Sequence, residues 1–248
     1  MSLFETEALI LRTYNLAEAD KIVVCLSRSS GLIRGVAKNC RKLKNRFGAS
    51  LEPFTLINLT YFEKENQELV SFSQTEILRS RFNLSSDAAV MTGFSYMGDL
   101  LMDFSAPRQV NDHLYRMALA AFEAVAQTPA DLDWVLRYFE VWLLKLEGFL
   151  PDLRACAECH NAFNGEESIY LGPDLALRCL KCSAARGRAI SKSVHQQMRA
   201  TEKLSPAKFA EEVREVPVAT RKELAQLTYH IISRVLERMP RARPTFAQ

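Results

Sequence analysis

No stretch of the sequence approaches the ~18 uncharged apolar residues that a membrane-spanning helix requires. A phosphate-cradling Walker A loop, a glycine-rich dinucleotide fingerprint and a nucleophile elbow are missing too, so the common motif-borne enzyme classes have no foothold. Only four histidines occur, His113, His160, His195 and His230, and none has a cysteine or serine partner that spacing identifies. His230 falls on an amphipathic stretch and reads as a surface or cap residue. Without a catalytic constellation, the chain is expected not to be an enzyme. Internal repeats and low-complexity tracts are absent. The first seven residues carry two acids, where a secretory signal would be basic and then apolar. Six cysteines without an export signal point to a reducing compartment and away from a disulfide framework. The expectation is a soluble cytoplasmic protein with no membrane partner.

What is present is ordinary in bulk. The 248 residues are 48% apolar and 25% charged, which excludes a mostly disordered chain. Their number suits one or two cores plus an insert. The net charge of +3 says less than its distribution. Residues 1–82 hold twelve basic and nine acidic groups, 83–147 four against nine, and 148–248 sixteen against eleven. Residues 21–51 contain eight basic side chains and no acid: Lys21, Arg28, Arg34, Lys38, Arg41, Lys42, Lys44 and Arg46. Residues 178–201 contain six, again with no acid: Arg178, Lys181, Arg186, Arg188, Lys192 and Arg199. Two such runs in one chain suit a polyanionic partner, since like charges repel unless solvated or neutralised.

The first eighty residues read as strands. Residues 8–11 and 21–26 are short apolar runs bounded by polar clusters, and 32–37 follows Gly31 as in a tight hairpin. Residues 54–62 and 69–77 alternate apolar and polar around a charged turn at 63–68. Five closely spaced strands without a helical period fit a small barrel of the OB type. Gly35, in mid-strand, would allow the bend that closes it. The next region is helical: one helix capped by Ser85 or Ser86 and running to about Phe104, a second over 111–126, and a third capped by Asp131. The third is apolar nearly all round and is expected to be central, with Trp142 in the core. Gly148 and Pro151 end it. Helices resume near Ser191 and over 219–239, and the tail 240–248 reads as frayed.

Between these helices lie Cys156-Ala157-Glu158-Cys159 and, after nineteen intervening residues, Cys179-Leu180-Lys181-Cys182. Two Cys-x-x-Cys knuckles at this separation match a zinc ribbon, each placing two thiolates on one side of a tetrahedron. The intervening chain suits a hairpin, with strands at 169–171 and 175–177 around a Gly172-Pro173-Asp174 turn. Four sulfur ligands leave no open position, so one structural Zn2+ per chain is expected. The deaminase pattern lacks its upstream His-x-Glu, a thioredoxin-like site needs one pair rather than two, and iron–sulfur spacings differ. His160 neighbours Cys159 and reads as solvated or as a partner to the ligands. Cys25 reads as a small buried hydrophobe; Cys40 has no assigned role.

Three stretches together resemble one family: ALILRTYNLAEADKIVV at 8–24, GLIRGVAK at 31–38 and RFGASLEPF at 46–54. With GFLPDL at 148–153 leading into the first cysteine pair, the chain is similar to the bacterial recombination mediators of the RecO family. The family's Ala-Lys-Gly-Ala-Arg stretch stands here as Ala37-Lys38-Asn39-Cys40-Arg41, without the glycine. The resemblance implies an α+β multi-domain chain, an N-terminal OB-fold β-barrel followed by a helical domain carrying a four-cysteine zinc ribbon. The expected boundaries are 1–80 for the barrel, 81–150 and 187–248 for the helical domain, and 151–186 for the ribbon. It further implies binding of single- and double-stranded DNA, strand annealing, and RecA loading onto strands covered by single-strand-binding protein, in company with RecR. A cytoplasmic, nucleoid-associated protein follows. Arg34, Lys38, Arg41, Lys42, Lys44 and Arg46 are the expected phosphate contacts, because basic side chains release counterions from DNA. Tyr14 and Phe47 are weaker candidates for base stacking. A zinc-ribbon adaptor without direct DNA binding, and a nucleic-acid-modifying enzyme with a hidden site, are the competing readings.

Overall fold

The computed structural model describes residues 2–65, 67–165 and 168–240. The tail expected to fray lies outside them, apart from Pro240. Two compact units divide the chain, one reaching to Leu119 and the other running over Ala120–Pro240.

The first unit is built on five strands, β1 (Ser2–Leu16), β2 (Asp20–Ser27), β3 (Gly31–Ala37), β4 (Leu56–Glu63) and β5 (Val70–Arg79). They close in the order β1-β2-β3-β5-β4, with β4 returning to pair with β1. The closing seam is a short parallel pairing of β3 with β5, Gly35 opposite Val70 and Val36 opposite Ser71. This is the OB arrangement expected from the five spaced runs. Alternate residues point inward, as in β4, where Ile57, Leu59 and Tyr61 are buried, so burial of one face sets the register. β1 is much longer than its apolar run because it serves two partners. Its first half pairs with β4 and its second half with β2, with an irregularity between Ile10 and Arg12. Phe54, expected to begin a strand, instead takes a left-handed φ of 66°. Its ring meets Phe94 edge-on at 5.4 Å.

Gly35 sits at the seam, yet space is what requires the glycine. A Cβ there would fall 2.1 Å from the Phe72 ring, which fills the barrel. Gly31 has φ 64°, and a Cβ on it would fall 2.1 Å from the Gln109 carbonyl oxygen.

Helix α1 (Ala88–Phe104) packs on β1 and carries buried Val90, Phe94, Met97, Leu100 and Leu101. Its cap is Asp87 rather than Ser85 or Ser86. The Asp87 carboxylate accepts from the amides of Ala89 and Val90 at 3.0 Å, and an ionised cap also suits the helix dipole. The Arg12 guanidinium reaches Asp99 of α1 at 2.5 Å, with the Asp99 side chain only 4% exposed. The division between the units falls within α2 (Asp112–Gln127).

In the second unit α3 (Leu132–Leu146) is central, as its all-round apolar surface implies. It contacts α5 (Lys192–Thr201), α6 (Pro206–Glu212) and α7 (Val218–Leu236). Asp131 stands at its N-cap position, but its carboxylate caps nothing and is held instead by Arg214 at 2.8 Å. Trp142 is half-buried rather than core, with its indole N–H donated to the Thr201 carbonyl at 2.8 Å. Among the described residues, no helix is long and apolar enough to cross a membrane.

Candidate functional site

The two cysteine pairs converge. The first lies on a turn closed by the His160 amide donating to the Cys156 carbonyl at 2.9 Å and the Cys156 amide donating to Asn161 at 3.0 Å. Three short strands, β6 (Ile169–Leu171), β7 (Leu177–Cys179) and β8 (Arg188–Ile190), form a sheet in the order β7-β6-β8. The second strand of the expected hairpin therefore begins two residues later than 175. Leu175 takes φ 62°, and the Gly172 amide donates to the Ala176 carbonyl, so the turn is longer than Gly-Pro-Asp alone. Cys179 ends β7, and Cys182 follows on the helical turn α4 (Leu180–Ser183). The Ala157 amide donates to the Leu177 carbonyl at 2.9 Å, tying one knuckle to the other.

The Sγ atoms of Cys156, Cys159, Cys179 and Cys182 all lie within 4.8 Å of one another. Cys159 and Cys179 are 3.9 Å apart, against about 3.8 Å for the edge of a tetrahedron with metal–sulfur bonds of ~2.3 Å. The donor set therefore fits a metal ion held by four sulfurs. His160, at φ 59° and exposed, stands outside the group. Burial pushes the Cys156 thiol up, but the amides of Cys159, Cys179 and Glu158 outweigh it and bring it down to about 6. Hydrogen bonding to the thiols of Cys159 and Cys179 pushes Cys182 up to about 12. Four crowded thiols cannot all ionise side by side, and a bound cation relieves that conflict.

His195, unassigned by spacing, proves to be a structural pin. It is 2% exposed, its Nε2–H donates to the Leu153 carbonyl at 2.8 Å, and its ring meets Phe163 edge-on. Cys25 is buried, as expected, and burial pushes its thiol up to about 12.

The expected phosphate contacts all lie exposed on β3 or in the loop that follows it. Arg34 points outward from mid-β3, where its Nη1 lies 4.0 Å from Glu68. Its charge is thus partly answered by an acid from the β4–β5 turn, which no local count of residues 21–51 could reveal. Among the described residues, no acid stands within ion-pairing distance of Lys38, Arg41, Lys42, Lys44 or Arg46. Arg41 donates to the Ala17 carbonyl and Arg46 to that of Phe72, each through the guanidinium. Asn39, where the family has glycine, takes φ 58° and donates its amide to Asp20 at 2.7 Å. Asparagine tolerates that left-handed conformation, so the loop retains its turn. Phe47 is 3% exposed and belongs to the barrel core, which removes it as a stacking platform. Tyr14 is 46% exposed, in register across the sheet with Ile22 and Val36.

The second basic run is more engaged. Arg178 forms a two-pronged bond to Asp174, at 2.8 and 2.7 Å, and holds that carboxyl well below the usual carboxylate range. Arg188 donates to the carbonyl and side-chain oxygens of Gln226.

Two family models match the chain. Recombination protein O N terminal covers residues 1–81, and Recombination protein O C terminal covers 85–244. Curated relatives agree. The DNA repair protein RecO of Koribacter versatilis is 35% identical over 155 residues, which are 62% of this chain and 63% of that protein. That of Dehalococcoides mccartyi is 31% identical over 178 residues, 69% of either chain. That of Symbiobacterium thermophilum is 32% identical over 185 residues, 74% of this chain and 72% of the relative.

Proposed function

The chain belongs to the RecO family, and on that premise we propose that it is a DNA repair protein that works by binding rather than by catalysis. It binds single- and double-stranded DNA, anneals complementary strands, and helps to load RecA onto strands covered by single-strand-binding protein, together with RecR. The observation that carries this reading is the set of exposed basic side chains on β3 and its following loop, five of which face no acid among the described residues. Annealing needs two polyanions held together long enough to pair. Basic groups that release counterions supply that, and exposed Tyr14 supplies a ring on which a base stacks.

The metal in this reading is Zn2+, held by Cys156, Cys159, Cys179 and Cys182. An all-thiolate tetrahedral site suits zinc, the doubled Cys-x-x-Cys spacing sets it apart from iron–sulfur sites, and a closed shell leaves it a structural role. The barrel over 1–80 is then the DNA-binding unit, the ribbon over 151–186 an insert in the helical part, and the cytoplasmic nucleoid the working place. The test is annealing of complementary oligonucleotides, bare and coated with single-strand-binding protein. The parent chain accelerates pairing, and replacing Arg41, Lys42 and Lys44 together by alanine slows it. Unchanged annealing by the triple variant overturns the assignment of this loop.

A further inference from the structure

We propose that Leu43 is a wedge that inserts between bases of the DNA strand held by the surrounding basic loop, an inference that rests on the DNA-binding reading above. Leu43 is fully exposed, at 102% of its reference area, between Lys42 and Lys44. A single exposed leucine is ordinary on a protein surface; what sets Leu43 apart is full exposure within an acid-free run of cations.

The loop does not leave Leu43 outside for want of structure. On one side Cys40 packs against the barrel core, and the Arg41 amide donates to the Ala19 carbonyl at 3.0 Å. On the other side Phe47 is buried, and Asn45 accepts from the amides of Phe47 and Gly48 at 2.9 and 2.8 Å. The Asn45 side chain also donates to the Lys42 carbonyl at 3.0 Å. That clasp spans the tip and holds Leu43 away from the barrel.

Charge selects the occupant. Arg41, Lys42, Lys44 and Arg46 flank the leucine in sequence with no acid in ion-pairing range among the described residues, which suits a polyanion and repels a basic partner. A nucleic-acid strand offers both the anionic backbone for these cations and flat apolar bases for the leucine. In duplexes, apolar wedges of minor-groove binders enter between base steps and unstack them, and the same insertion is open to a leucine facing a single strand.

The full chain, with its metal, is mixed with a single-stranded oligonucleotide carrying 2-aminopurine, whose fluorescence rises when it is unstacked. The parent raises the signal on binding. Leu43→Ser keeps the salt slope of binding, because every phosphate contact remains, and binds no more than about fivefold more weakly. It loses the fluorescence rise, and Leu43→Met restores it. A Leu43→Ser chain that still raises the signal, or a parent that binds without raising it, overturns the wedge while leaving DNA binding intact. A parent that does not bind the oligonucleotide overturns the DNA reading itself, and the leucine then serves some other partner.

Discussion

Gly35 and Phe72 meet where β3 and β5 close the barrel, so closely that a single added methyl carbon would lie 2.1 Å from the ring. The ring is wholly buried, and the same added carbon would also lie 2.9 Å from the Val70 side chain. Gly35→Ala is therefore expected to destabilise the chain by about 2–3 kcal/mol through overpacking. Phe72→Ala costs about 3–5 kcal/mol through the cavity it leaves. Denaturant melts of the two variants check this, and a Gly35→Ala midpoint equal to the parent's would contradict it.

The cysteine cluster predicts dependence on metal. Elemental analysis is expected to find about one zinc per chain. Chelation or Cys159→Ser lowers the melting temperature and the soluble yield, since structural zinc contributes ~10–16 kcal/mol in small modules. Metal-free protein that melts like the parent would rule out the structural role.

Glu202 gives a pH dependence. Its carboxylate accepts from Lys145 at 2.8 Å and lies 3.6 Å from Arg154, and the Lys145 hydrogen bond chiefly holds its pKa below the ordinary value. A depressed folded-state pKa means that its stabilisation is present above the unfolded value of about 4.3 and is lost as pH falls through the folded one. Because both partners are partly exposed, the contribution is about 1 kcal/mol. The stability difference between the parent and Glu202→Gln should thus be constant at neutral pH and vanish in acid. A difference that persists at low pH would assign it to packing.

Local chemistry made the strands, the main helices and the four ligands legible. Alternation marked β4 and β5, and the doubled Cys-x-x-Cys marked the cluster before any geometry was known. What the sequence concealed depends on distant segments. β1 exceeds its apolar run because two separate strands pair with it. Glu68 answers Arg34 only once the barrel has closed. Phe47 sits within a basic run, yet anchors that run from inside the core. Asp131 has the form of a cap but is claimed by Arg214, eighty-three residues away.

The central claim is that the loop after β3 neutralises DNA phosphates. The most direct measurement is the affinity for a single-stranded oligonucleotide across a salt series. At roughly −0.7 per contact, six basic side chains give a log-affinity against log-salt slope of about −4. Replacing Arg41, Lys42 and Lys44 together by alanine should flatten it by about 2 while leaving the fold intact, because exposed changes perturb stability little. A triple variant with the parent's slope and affinity at about 150 mM salt would contradict the account and move the DNA site off this loop.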